Sequence, residues 1–157
     1  MRETSKLISR LSADFPEINF KQVGGSVFAW SPRDKQITYP PLRSKEDLML
    51  LLHEAAHARL NHFDYHRDIE LINKELLAWL HAQKVLAPRY SITIDQARID
   101  SELETYRHWL YLRSLCPKCG QSGIQQKPYS YLCLNCSTKW RPNNARLCRL
   151  KRALLKD

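Results

Sequence analysis

Two histidines and a glutamate in the stretch LMLLLHEAAHARLNH, residues 48–62, have the types and spacing of a metal-dependent hydrolytic site. His53 and His57 are four residues apart, so on a helix both imidazoles lie on one face and can bind one ion. Glu54 lies beside the first histidine but off that axis, where its carboxylate can reach a zinc-bound water without binding the metal. Zinc lowers the pKa of such a water, Glu54 takes the proton, and the resulting hydroxide attacks a polarised carbonyl.

A catalytic zinc site needs a third protein ligand and an open fourth position. The candidate side chains that follow along the chain are His62, His66, Glu70 and Glu75. His62 lies five residues after His57, nearly a turn and a half along the helix, so it is predicted to point away from the ligand face. His66 could return to that face only if the helix ends at Asn61. Glu70 lies near a helix start, where an exposed acid is ordinary.

Glu75 is the predicted third ligand because it lies on the apolar face of a second helix. That face also carries Ile72, Trp79 and Leu86. It should turn inward, where a carboxylate needs a partner such as zinc. A residue that stabilises the tetrahedral oxyanion is also expected beside the metal. Spacing does not choose among the candidates Tyr65, His66, His81, Tyr106 and His108.

Four of the five cysteines form two pairs that are typical of a structural zinc site. Cys116 and Cys119 in CPKCG are separated by 13 residues from Cys133 and Cys136 in CLNC. Each C-x-x-C makes a tight turn, and two such turns close a tetrahedron that leaves no open position for catalysis. The pattern predicts a zinc ribbon stabilised largely by its metal, so we expect two zinc ions per chain. Cys148 is left over.

Lysines and arginines are concentrated in the last third of the chain. Residues 107–157 hold 11 Lys and Arg against one acid, whereas residues 1–106 hold 14 against 15 acids. Such a basic segment serves either solubility or contact with nucleic acid. The candidate phosphate contacts are Lys118, Lys127, Lys139, Arg141, Arg146, Arg149, Lys151 and Arg152. The candidate residues for stacking on bases are Tyr129, Tyr131 and Trp140.

The elements that must position these groups predict an α+β fold. Residues 18–41 predict a small antiparallel sheet, which packs on the His-Glu-x-x-His helix and two further helices. Ser44 is the expected N-cap of the first of these three helices, and the others are predicted over about 68–87 and 95–115. A short N-terminal helix precedes the sheet. Its apolar side carries Leu7, Ile8, Leu11 and Phe15.

The chain is predicted to have two parts. Residues 1–115 form a metallopeptidase-like domain, and residues 116–157 form a basic zinc-ribbon module that ends in a helix, ARLCRLKRALLK. Hydrophobic residues make up 43% and charged residues 26%, which is ordinary for a globular protein. No apolar run is long enough to span a bilayer, and the first residues lack the apolar core of a secretory signal. We therefore expect a cytoplasmic protein with no membrane partner.

The stretch HEAAHARLNH, followed by ELLAWLHAQKVL, resembles the ImmA/IrrE-type zinc peptidases. These enzymes have a gluzincin site, and the resemblance covers about residues 20–87. The resemblance implies the ligands His53, His57 and Glu75 with the general base Glu54. His62 matches a further family histidine that is not a ligand. The implied activity is that of a zinc endopeptidase whose protein substrate is a regulator. Apart from the resemblance, we expect the basic ribbon to recruit the enzyme to its substrate or to DNA. An edge strand of the sheet could pair with the substrate backbone.

Two alternatives stay open. SprT/Spartan-like proteases, which digest protein crosslinked to DNA, also join a His-Glu-x-x-His helix to a zinc ribbon. Their third ligand is a later histidine in a Gly-rich turn, and no such turn follows His66. The other alternative is a non-catalytic nucleic-acid-binding regulator. The intact Glu54 argues against it, because a purely structural zinc site gains nothing from a general base.

Overall fold

The computed structural model describes residues 2–145 and 149–155, with side chains from Lys6 onward, and it has an α+β fold. The chain forms two compact units. The first comprises Met1–Phe63 and Lys74–Ile99, and the second comprises Asp64–Asn73 and Asp100–Asp157. The boundaries differ from the predicted division after residue 115. Within the described residues, no helix has the length and apolar character needed to cross a bilayer.

A three-stranded sheet lies in the first unit. Its strands are β1 Asn19–Gln22, β2 Ala29–Ser31 and β3 Gln36–Tyr39, in the order β1-β3-β2. β2 pairs antiparallel with β3, as predicted, whereas β1 runs parallel to β3, so the sheet is mixed. The strand with the buried residues Ile37 and Tyr39 takes the centre, and the polar β1 takes an edge. The segment between β1 and β2 therefore crosses the sheet instead of making a hairpin.

Two helices of the first unit follow the predicted pattern. Helix α1, Arg2–Asp14, has buried Leu7 and Leu11 on the expected side. Helix α2, Lys45–Arg59, begins at Ser44, which confirms the predicted N-cap. The Ser44 hydroxyl accepts from the Asp47 backbone N–H at 3.1 Å, and the Asp47 carboxylate accepts from the Ser44 N–H at 2.9 Å. This reciprocal pair is a capping box, which fixes where the helix starts.

The second predicted helix continues further than its sequence suggests. Helix α3, Asp68–His81, leads into a π-helical turn, Ala82–Leu86, and then a short helix α4, Ala87–Arg89. The chain thus passes through Pro88 without leaving the helical region. A proline ring collides with the carbonyl four residues earlier in a regular helix, and a wider turn relieves that contact. Helix α5, Gln96–Ser114, matches the third predicted helix closely.

The second unit contains a four-stranded antiparallel sheet that follows α5. Its strands are β4 Ile124–Lys127, β5 Ser130–Leu132, β6 Lys139–Pro142 and β7 Arg152–Leu154, in that order. Tyr131 and Trp140 stack at 5.6 Å and are fully buried. A buried ion pair lies in the same unit: Arg113 Nε donates to the Asp68 carboxylate at 2.7 Å, and the Tyr131 hydroxyl donates to the same oxygen at 2.6 Å. These contacts explain why residues around Asp68 belong with the cysteine-rich segment.

A strand replaces the predicted terminal helix in the described residues. β7 pairs with β6 in the register Trp140 with Leu154, so it fills an edge that β6 would otherwise leave open. Asn143 holds the connecting loop: its side chain donates to the Arg149 carbonyl at 3.0 Å and accepts from the Lys151 N–H at 3.1 Å. Strand pairing and these bonds outweigh local helix propensity. Cys148 and Arg146 lie outside the described residues.

Candidate metal centres

The first unit brings three ligand-type side chains together. His57 Nε2 lies 3.0 Å from His53 Nε2. Glu75 Oε2 lies 3.1 Å from His53 Nε2 and 3.5 Å from His57 Nε2. All three side chains are buried, and the three donor atoms lie close enough together to bind one metal ion. The two histidines come from α2 and the glutamate from the part of α3 that belongs to the same unit.

Packing fixes the direction of each of these side chains. Leu51, Leu52 and Ala56 are fully buried on α2, so this end of the helix faces the core. The Trp79 ring from α3 stacks on His53 at 4.2 Å with an interplanar angle of 24°. Glu75 lies one turn before Trp79 and is only 6% exposed, so the predicted inward direction of its helix face is confirmed.

Glu75 carries a negative charge in a buried place. Burial raises the pKa of its carboxyl group, but the hydrogen bonds and charges of His53 and His57 lower it by more, so the net shift is well below the usual range. A buried carboxylate that faces two imidazoles is an arrangement that a cation would stabilise.

Glu54 is held by the sheet. Its Oε2 accepts a hydrogen bond from the backbone N–H of Trp30 in β2 at 2.7 Å, and the residue is partly exposed. β2 is an edge strand, so its free edge could pair with a substrate backbone, but the Trp30 N–H is already used by Glu54. Sequence reasoning missed the contact, because residues 24 positions apart meet only through the strand order.

His62 lies against His57, contrary to the prediction that it points away. The two Nδ1 atoms are 2.9 Å apart. Helix α2 ends in a Schellman motif: Asn61 takes a φ of 50°, its N–H donates to the Ala58 carbonyl at 3.1 Å, and the His62 N–H donates to the His57 carbonyl at 3.0 Å. Burial, together with the nearby His57 and Lys74, lowers the pKa of His62 to about 4.

The remaining candidate residues are divided between the two units. Glu70 accepts from the His66 backbone N–H at 3.0 Å at the start of α3, and both residues belong to the second unit. Tyr65, Tyr106 and His108 belong to that unit too. His81 is in the first unit, where burial and the charges of Arg59 and Arg89 lower its pKa. The residue that would stabilise an oxyanion stays a prediction.

The second unit brings Cys116, Cys119, Cys133 and Cys136 together. Neighbouring Sγ atoms lie 3.5–3.6 Å apart, which is far beyond the roughly 2.05 Å of a disulfide bond. The group forms a four-donor site that could hold one ion.

The two cysteine turns have the same backbone geometry. In each, the residue four positions after the first cysteine has a positive φ, 73° at Gly120 and 56° at Ser137, and its N–H donates to the carbonyl of that cysteine at 2.9 Å. The N–H groups of Cys116 and Cys133 in turn donate to Gln121 and Thr138. Glycine accommodates the left-handed conformation without strain, whereas Ser137 adopts it at some cost.

The thiols differ in their acidity. The Thr138 hydroxyl and N–H lower the pKa of Cys136 to about 6. Burial raises the pKa of Cys133 to about 11. A bound cation would stabilise the thiolate at both positions.

Two of the three predicted stacking residues are inaccessible. Tyr131 is 2% exposed and Trp140 is 0% exposed, and the Trp140 indole donates to the Arg113 carbonyl at 3.0 Å. Tyr129 is 37% exposed at the β4–β5 turn, and the Arg141 guanidinium lies over its ring at 5.6 Å. The prediction of a stacking role is therefore wrong for Tyr131 and Trp140.

The second unit as a whole is less basic than residues 107–157 considered alone. Arg152 donates to the Leu112 and Leu115 carbonyls near the end of α5, so it serves the fold. The second unit as a whole carries 12 Lys and Arg against 7 Asp and Glu, because residues 64–73 and 100–106 bring acids with them. Six of the predicted phosphate contacts have exposed side chains: Lys118, Lys127, Lys139, Arg141, Arg149 and Lys151.

No protein-family model, curated protein or solved structure matches this chain.

Proposed function

We propose that this protein is a zinc-dependent endopeptidase. The proposal rests mainly on one observation, the buried convergence of His53, His57 and Glu75 beside Glu54. The distances among the three donor atoms support zinc. A tetrahedral ion with zinc–nitrogen bonds of about 2.0–2.1 Å places neighbouring ligands roughly 3.3 Å apart. The separations of 3.0, 3.1 and 3.5 Å bracket that value. Three protein ligands leave one position for water or substrate.

Glu54 is the proposed general base. A zinc ion at this site supplies Lewis acidity toward water and toward the carbonyl oxygen of a peptide. Glu54 accepts a proton from the attacking water and delivers it to the departing amine nitrogen, so the C–N bond breaks as one water is added. The Trp30 N–H holds Oε2 of this carboxylate at 2.7 Å, which leaves Oε1 for the transferred proton.

The four cysteines are the proposed structural zinc site. Zinc–sulfur bonds of about 2.3 Å place tetrahedral neighbours roughly 3.8 Å apart, close to the observed 3.5–3.6 Å. Four thiolates fill the coordination sphere, so this ion would hold the turns together without taking part in catalysis. In this proposal the segment from Cys116 onward is a zinc ribbon and the chain carries two zinc ions.

The resemblance to ImmA/IrrE-type peptidases stays a prediction, because it depends on the motifs alone. It suggests a protein substrate, and specifically a regulator. The experiment that tests the activity therefore makes no assumption about sequence. Zinc-loaded protein is incubated with a peptide library made from a whole proteome, and new amino termini are identified by mass spectrometry. We expect a defined set of new termini that is absent with Glu54→Gln.

The result that would overturn the proposal is unambiguous. Protein that carries two zinc ions and yields no new termini is not an endopeptidase on these peptides, and termini that persist with Glu54→Gln come from another enzyme. Repeating the incubation with single-stranded DNA distinguishes the SprT/Spartan-like alternative, which predicts cleavage only when DNA is present.

Binding of single-stranded nucleic acid by the second unit is a further candidate function. It is supported by the exposed Tyr129 beneath the Arg141 guanidinium, since an aromatic ring next to a cation suits base stacking. Fluorescence anisotropy with a labelled oligonucleotide tests it. Tyr129→Ala should weaken binding by about 1–3 kcal/mol, whereas Tyr111→Ala, which removes another exposed tyrosine of the same unit, should have no effect. Equal binding by both variants would exclude a stacking role.

A further inference from the structure

The two imidazoles of the histidine–glutamate site differ in what faces their outer nitrogens. His57 Nδ1 lies 2.9 Å from His62 Nδ1, and the two rings meet edge to face with centroids 4.9 Å apart. His53 Nδ1 is buried and has no hydrogen-bond partner among the described residues. Its ring is instead held by stacking on Trp79. Only His57 therefore has a polar outer partner in the described part of the chain.

The protons on this histidine pair can be assigned. A neutral imidazole carries one N–H and one lone pair, so a histidine that gives Nε2 to a metal must carry its proton on Nδ1. His57 Nδ1–H then donates, and His62 Nδ1 accepts. His62 must in turn carry its own proton on Nε2. With the protons placed this way, the contact stabilises the tautomer of His57 that leaves Nε2 free to coordinate.

The backbone of His62 is fixed on two sides. The Schellman motif at the end of α2 brings its N–H to the His57 carbonyl at 3.0 Å. The Trp30 indole Nε1 donates to the His62 carbonyl at 3.2 Å. Trp30 also donates its backbone N–H to Glu54. One residue of the edge strand therefore positions both the proposed general base and the residue that faces His57.

We propose that His62 is a positioning residue that holds His57 in the tautomer and orientation needed to bind a divalent metal. The inference rests on the metal site of the proposed function and adds a partner outside the ligand set. A metal-ligating histidine commonly donates its other N–H to an outer-shell group, and loss of that group costs about 10–100-fold in affinity.

The test measures metal binding by the full chain. Cobalt(II) is titrated into metal-free protein, because a thiolate–cobalt charge-transfer band reports the cysteine site separately from the histidine–glutamate site. His62→Phe keeps a ring but offers no acceptor, whereas His62→Gln offers an amide oxygen. We expect His62→Phe to weaken the histidine–glutamate site by about 10–100-fold. His62→Gln should stay close to wild type, and the cysteine site should be unchanged in both.

The other possible results of the titration distinguish failure of the proposed metal site from failure of the proposed role of His62. If wild-type protein binds cobalt only at the cysteines, the proposed metal site itself is absent. If wild type binds two ions and His62→Phe binds as tightly as wild type, only the role of His62 is wrong. Equal weakening in both variants shows that His62 serves packing and does not act as an acceptor, which also overturns the inference.

Discussion

The two candidate metal sites are built in opposite ways. The histidine–glutamate site takes its residues from two helices that are packed in a core, with Leu51, Leu52 and Trp79 at most 1% exposed. The cysteine site takes its residues from two turns, and the cluster around it contains only Tyr131 and Trp140 besides the cysteines among its buried members. We therefore expect the fold to position the first site, and a metal at the second site to help form the fold.

This difference separates chemistry from stability. A site held by packing can leave one coordination position open, because its ligands stay in place without the ion. A site that supplies folding energy gains most from a full set of ligands. A group of three donors beside Glu54 and a group of four cysteines match these two requirements. Metal removal and point substitutions should therefore affect the two units differently.

The largest expected effect is the response to removal of the metal. Chelation should unfold the second unit, since structural zinc binding contributes about 10–16 kcal/mol in small zinc modules. The first unit has its own core and should stay folded. Hydrogen exchange followed by mass spectrometry is the measurement, with protection lost over residues 116–142 and kept in α2.

Cys133→Ser should reproduce the effect of chelation in the second unit while zinc is present. Its control is Cys148→Ser, which removes a thiol outside the four-cysteine set and should leave two zinc ions per chain. Loss of protection in both units after chelation would show that the first unit also depends on its metal, and the contrast between the sites would disappear.

Glu54→Gln should abolish most activity without changing metal content. Removing a general base costs about 10²–10⁴-fold in rate, because glutamine cannot accept the proton of the attacking water. The measurement pairs single-turnover cleavage of a peptide from the library with zinc analysis. Glu46→Gln on the exposed first turn of the same helix is the matched control and should cleave at the wild-type rate. A mutant at position 54 that lost zinc would indicate a structural role for Glu54.

The next largest effect is expected from disruption of the buried ion pair between Asp68 and Arg113 in the second unit. Asp68→Ala leaves Arg113 charged and 1% exposed without its carboxylate, which should cost about 3–5 kcal/mol of unfolding free energy. Tyr131→Phe removes one hydrogen bond to the same carboxylate and should cost about 1.5–3 kcal/mol. Urea unfolding of zinc-loaded protein measures both. Equal stability of Asp68→Ala and wild type would show that the metal alone holds this unit.

Local sequence patterns predicted the metal-ligand candidates of both sites. The features that they did not predict depend on contacts between residues far apart in the sequence. The spacing of His53 and His57, the inward face of Glu75 and the paired cysteines depend on residues within one helix or one turn. The hold of Trp30 on Glu54 depends on a strand order that turn signals do not reveal. Strand β7 also depends on a long-range contact. Its sequence has a helical pattern, but the segment pairs with the edge of β6 and forms a strand.

His62 shows how a single dihedral angle changed a prediction. Treated as a continuing helix, the sequence turns this residue away from His57, but the positive φ of Asn61 ends the helix and brings it back. Asparagine tolerates the left-handed conformation, whereas a residue with an ordinary Cβ pays for it in free energy. The turn is therefore the part of the first unit where the histidine–glutamate site depends on local conformation and not on packing.

The smallest predicted effect tests that dependence. Asn61→Gly should leave the unfolding free energy unchanged or slightly raised, and Asn61→Ala should lower it by about 1 kcal/mol, because only alanine disfavours the positive φ. Thermal unfolding of the first unit measures the difference. If Asn61→Ala also weakens cobalt binding at the histidine–glutamate site while the cysteine site is unchanged, the turn acts through His62. Unchanged cobalt affinity at a measurable loss of stability would show that packing alone positions His57.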